Sequence, residues 1–113
     1  MSNANTESIV AEEIRIISML RAARGVLGWS QPDLAKQAGV SLVALARLES
    51  NAASPRLSTI SRLKAAIEAA GIQVIDGQPS GGFTLQVSTK ALALAAEAAS
   101  RKAMGRPAPE EME

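Results

Sequence analysis

The sequence predicts a mainly α-helical chain, a bundle of four or five helices followed by a small β-hairpin and a C-terminal helix. Three observations carry this. Up to about residue 70, apolar side chains recur at helical spacing in runs separated by Ser, Gly and Pro. Residues 72–87 change to β-branched and aromatic residues in partial alternation around DGQPSGG, a stretch dense in turn formers. From Ser88 the chain returns to an Ala- and Leu-rich helical pattern.

Taken in order, a long first helix is expected from near Thr6 to Ser8 to about Leu27, with Ile9, Ile16 or Ile17, Leu20 and Ala23 or Arg24 at helical spacing. Residues 1–14 form an Ile-containing extension of it, with Glu12 and Glu13 on a solvated acidic face. The second helix is expected at about 31–38. Ser30 suits its N-cap, because the hydroxyl accepts from backbone N–H groups two or three residues on, and Pro32 fits the first turn, where an N–H is not needed. Gly39 ends it by supplying the left-handed conformation just past a helix end, and Val40 brings an apolar anchor into the turn. Ser41 is a second N-cap, for a third helix at about 42–50. A fourth, at about 57–70, is opened by Ser54-Pro55 or by Ser58 and stopped by Gly71. The hairpin at 72–87 is too small to be stable alone, so it must pack on the bundle or pair its edge with another copy. Ser88 or Thr89 caps the last helix, which runs to about Met104, and residues 105–113, GRPAPEEME, have the polar, Pro-containing composition of a disordered tail.

Composition narrows the function classes. The chain has 113 residues, 47% of them hydrophobic, enough for one small domain with extensions and too few for two independent cores. Aromatics are scarce (one Trp, one Phe, no Tyr), so the core must be built of Leu, Ile, Val and Ala, with Trp29 expected as a cover over it. With no Cys there is no disulfide framework and no thiolate metal site, which suits a reducing cytoplasm. No run is long and apolar enough to span a bilayer, and the opening MSNANTES lacks the basic and apolar regions of a signal peptide, so a cytoplasmic location is expected. Catalysis finds no support: His and Cys are absent, the carboxylates are scattered, and DGQPSGG lacks the spacing and following helix of a nucleotide loop. No cofactor or metal site is expected.

The most informative segment is SQPDLAKQAGVSLVALARLESN, from Ser30 to Asn51. Its pattern is that of two short helices joined by a turn of three or four residues. Leu34 and Ala38 share a face of the first, Ala35 gives the small surface over which the second crosses, and Leu45 and Leu48 of the second face back across it. Leu42, Val43, Ala46, Arg47 and Ser50 are then left pointing outward.

Residues 20–70, about half the chain, resemble the DNA-binding domain of the phage repressor and Cro family, often called the Xre family. The residues carrying the resemblance are Gln31 at the helix start, Ala35 and Gly39 at the crossing and turn, and Leu45 and Leu48 in the core. Glu49-Ser50-Asn51 adds to it, where the family usually has Glu, a polar residue and Gly. The flanks LRAARGVLGWSQ and PRLSTISRLKAAIEAAG resemble the family's first and fourth helices. The resemblance implies a repressor-like helix-turn-helix bundle over residues 15–71, with the helix at 42–50 in the major groove. It also implies a structural pairing of Arg24 with Glu49, the first helix bracing the end of the recognition helix.

Charge is distributed as that implies. The formal net charge is only +1, yet between Arg21 and Lys64 there are seven basic residues and two acidic ones, while both flanking segments are net negative. A basic concentration on the motif is the electrostatic footprint of phosphate binding. The DNA-contact candidates are Gln31, Lys36, Ser41, Leu42, Val43, Arg47, Ser50 and Arg56. Gln31 sits at a helix N-terminus, where its side chain and nearby backbone donors can meet a phosphate. Lys36 and Arg56, the latter with Ser54 and Ser58, are backbone-contact candidates. Arg47 is the principal base-contact candidate, since a guanidinium can bond guanine O6 and N7. Its plain alternative is a surface ion pair. Leu42 and Val43 depart from the family, which often has hydrogen-bonding groups there; apolar side chains touch thymine methyls and cannot read donors and acceptors.

The functional expectation is a sequence-specific DNA-binding transcriptional regulator, dimeric because one helix covers too few base pairs for useful specificity. The dimer contact is expected in the Ile-rich start of the first helix, the hairpin edge, or a stripe of Leu92, Ala95 and Ala99. A second reading is the antitoxin of a toxin–antitoxin pair, with the residues after Gly71 covering a toxin. A third is a protein-interaction module without DNA reading, for which the apolar Leu42 and Val43 argue.

Overall fold

The computed structural model describes residues 2–77 and 80–105, with side chains from residue 11 onward. Its elements are helices α1 (Ser2–Leu27), α2 (Gln31–Ala38), α3 (Leu42–Glu49) and α4 (Leu57–Ala69), strands β1 (Ile72–Asp76) and β2 (Phe83–Val87), and helix α5 (Thr89–Met104). The architecture is therefore mainly α, a helix-turn-helix bundle carrying an antiparallel hairpin and a C-terminal helix. The disordered tail expected at 105–113 falls, from residue 106 on, outside the described residues.

Helix α1 starts earlier than the sequence reading placed it, at Ser2 instead of Thr6 to Ser8. The physical reason is that no Gly or Pro precedes Gly25, so nothing in the chain stops the helix extending toward its N-terminus. A second correction concerns α4. Its N-cap is Arg56, which makes no side-chain capping bond, and neither Ser54 nor Ser58 caps it. The Ser54 hydroxyl instead donates to the Glu13 carboxylate. Glu12 likewise has a partner, Arg15, so the two carboxylates are not the freely solvated pair the sequence suggested.

One apolar cluster holds the chain together. Ile17, Leu20, Ala23 and Leu27 of α1 meet Leu34 of α2, Leu45 and Leu48 of α3, and Leu63 and Ile67 of α4, and the same cluster includes Ile72 of β1 and Ala91 of α5. The hairpin is thus packed on the bundle. Its register pairs Ile72 with Val87, Val74 with Leu85 and Asp76 with Phe83. The period of two puts Ile72, Val74 and Asp76 on one face: the two apolar residues pack into the core, while Asp76 is held by Arg15 of α1 and Lys64 of α4, the latter at 2.8 Å.

Gly71 joins the two halves. It has φ +101°, and its carbonyl accepts from Ser88 N–H at 3.0 Å. Ser88 in turn caps α5, its hydroxyl accepting from Ala91 N–H. A Cβ at residue 71 would lie 2.3 Å from that hydroxyl and 2.9 Å from the Ala91 nitrogen. Only glycine allows the strand, the cap and the end of α4 to meet so closely.

Candidate nucleic-acid interface

Helices α2 and α3 are positioned by local chemistry. Ser30 caps α2 by accepting from Asp33 N–H, and the Asp33 carboxylate accepts from Ser30 N–H in return. This reciprocal box satisfies two otherwise orphaned donors. The main-chain hydrogen bond holds the Asp33 carboxyl below its ordinary value, against the opposing effect of desolvation. At the other end Gly39 takes φ +68°, and Val40 N–H returns to Ala35 carbonyl at 3.0 Å. Ser41 then caps α3 by accepting from Ala44 N–H. The connection is therefore the three residues Gly39, Val40 and Ser41.

The joint between α1 and α3 is ionic and buried. Arg24 Nε donates to Glu49 Oε2 at 2.9 Å and its Nη2 to Oε1 at 2.6 Å, a bidentate pair, while its Nη1 donates to the Trp29 carbonyl at 3.1 Å. Gln31 Nε2 adds a bond to Glu49 Oε1 at 3.1 Å. Glu49 is only 3% exposed. Burial pushes its carboxyl up, and the hydrogen bonds from Arg24 and Gln31, with the charges of Arg24 and Arg21, more than reverse this, so it titrates below the ordinary range. Two helices, a turn and the start of α2 are thereby fixed to one carboxylate.

That clamp changes the place of Gln31. Its side-chain amide donates to Glu49 and so braces the clamp as well; sequence spacing alone carries no trace of this bond between residues 18 apart. The outward face of α3 also differs slightly from expectation. Leu42, Val43, Arg47 and Ser50 are exposed, but Ala46 is half-buried and Ala44 is exposed in its stead. Ser50 spends its hydroxyl within its own turn, donating to the Arg47 carbonyl. Asn51 occupies the left-handed region at φ 59°, which Asn tolerates better than other non-glycine residues.

Beside α3 lies an open groove of about 460 Å³ between that helix and the segment leading into α4. It is bordered by Ser41, Val43, Ala44, Arg47, Ser54, Arg56 and Thr59, among others. The structure therefore brings Ser41, Val43, Arg47 and Arg56 together, while Lys36 is exposed separately on α2. Among the described residues the side chains of Lys36, Arg47 and Arg56 make no hydrogen bond or ion pair, in contrast to Arg15 and Arg24. Thr59 was not visible as a groove residue in the sequence, because the start of α4 reaches α3 only through tertiary packing, and Ala44 was missed because the helical pattern put Ala46 on the outward face instead. Arg62 was visible only as a charge; its guanidinium donates to the Gly39 carbonyl at 3.4 Å, on the turn itself.

A solvent-facing helix is thus held by a buried ion pair and flanked by cations that have no partner among the described residues, the arrangement expected of a DNA-binding regulator. Residues 20–71 match the family model for helix-turn-helix domains, and this segment is an Xre-type helix-turn-helix domain. No curated protein and no solved structure matches the chain significantly. Among the described residues no helix is long and apolar enough to cross a membrane, and no group of three or more His, Cys, Asp or Glu could hold a metal ion.

Proposed function

We propose that the protein is a sequence-specific transcriptional regulator that binds double-stranded DNA as a homodimer, with α3 in the major groove. The observation that carries this is the Arg47 guanidinium, exposed on the outer face of α3, without a partner among the described residues, over a groove it shares with Arg56. A surface arginine kept out of ion pairs, two residues from the end of a rigidly braced helix, is available to a guanine edge. Ser41, Arg56 and Lys36 are assigned to phosphates on either side, Leu42 and Val43 to base contact, Ser50 to the groove-facing end of α3, and Gln31 to a phosphate through the main chain of the first turn of α2. Two copies reading half-sites about one helical turn (~34 Å) apart supply the specificity that one eight-residue helix lacks.

Selection from a random oligonucleotide pool with the whole chain tests this. The expected product is a motif with two-fold symmetry. On the selected duplex, Arg47→Ala should cost about 1–3 kcal/mol and relax one base position, whereas Lys36→Ala should weaken all sequences alike and flatten the salt dependence by about one unit. Equal affinity of wild type and Arg47→Ala would remove Arg47 from base readout.

A further inference from the structure

The first three residues of α3, Leu42, Val43 and Ala44, offer a base pair no side-chain donor or acceptor, yet all three are exposed and Val43 is 67% so. Val43 and Arg47 are four residues apart on one face, so their Cβ atoms lie about 6 Å from each other. An apolar knob and a guanidinium thus stand side by side over the same groove.

Duplex edges present a matching pair of features. The only apolar group in the major groove is the methyl on pyrimidine C5, and the preferred partner of arginine is guanine O6 with N7. Successive bases along a strand are about 3.4 Å apart, within the span from a short valine to a long arginine. Resting on the DNA-binding reading above, we propose that Val43 and Arg47 together recognise a C5-methylated pyrimidine followed by guanine, so that 5-methylcytosine is accepted where thymine is. For valine the two bases are alike, because each carries the methyl on the same ring carbon. Uracil and unmodified cytosine lack it. Binding by this chain would then respond to cytosine methylation of its target with no pocket built for a modified base.

The test uses duplexes of the selected site that differ by one methyl at each pyrimidine preceding guanine, thymine against uracil and 5-methylcytosine against cytosine. At one such position the methyl should raise affinity about three- to fivefold in both pairs, the worth of one buried carbon. In Val43→Ala, a substitution on the surface of α3, the difference at that position should vanish while the preference for the neighbouring guanine remains. Methyl-independent binding at every pyrimidine, or a methyl effect of full size in Val43→Ala, would overturn the proposal and leave DNA binding intact. Absence of any duplex binding in dilute salt would instead overturn the DNA-binding reading and this proposal with it.

Discussion

The molecule contains two carboxylate-centred clamps of similar chemistry and different surroundings. Glu49 gathers Arg24 and Gln31 in the helix-turn-helix half; Asp76 gathers Arg15 and Lys64 where the hairpin meets the bundle. The Glu49 side chain is 1% exposed, that of Asp76 45%. An ion pair in water is worth little, since screening and side-chain ordering offset the attraction, while breaking a buried one strands a charge in a medium that cannot solvate it. The first clamp is therefore a rigid joint and the second a tether. The stiff joint lies behind the helix proposed to read DNA, and the loose one fastens the extension.

The sharpest way to break this contrast is Glu49→Ala, which leaves Arg24 and Gln31 without their acceptor. It should lower stability by about 3–5 kcal/mol in chemical denaturation, and a loss under 1 kcal/mol would place the clamp in the same class as the tether. Next comes Gly71→Ala, which both strains a positive φ and drives a methyl into the Ser88 cap; a loss of about 1–3 kcal/mol is expected, with α5 losing amide-exchange protection before α3 does.

Acid should loosen both clamps. Because the Glu49 carboxyl titrates lower in the fold than the ordinary glutamate value of 4.5, its contribution is present above that value and is lost as pH falls through the folded one. Asp76 behaves in the same direction, held down chiefly by the Lys64 hydrogen bond. Stability should therefore decline on acidification below about pH 4.5, and Glu49→Gln and Asp76→Asn should each flatten that decline. The smallest effect is that of Asp76→Asn at neutral pH, about 0.2–1 kcal/mol, shrinking further in high salt.

What the sequence disclosed depended on the range of the interactions involved. The caps at Ser30 and Ser41 and the left-handed turn at Gly39 are settled within four residues, so they could be read directly. The core positions Leu34, Leu45 and Leu48 followed from helical periodicity. Less local features were not legible. The start of α1 has no punctuation to mark it. Arg56 stands at the N-cap position of α4 with no side-chain capping bond where a serine was expected, and Ser54 is engaged by Glu13, 41 residues away. The bond from Gln31 to Glu49 joins residues 18 apart, and the tether of Asp76 to Arg15 joins residues 61 apart. Of the proposed dimer stripe, Leu92 is exposed, but Ala95 and Ala99 border a groove against Gly25 of α1 and Gly28 just past its end, a neighbour that α5 periodicity could not name.

The Arg24 guanidinium that grips Glu49 also holds the carbonyl of Trp29, the sole tryptophan in a chain with no tyrosine. The indole is half-buried against the core at that joint, so its emission reports one place in the fold. Seating or loosening of α3 would register as a spectral shift, and the chain carries its own optical gauge of that joint without any label.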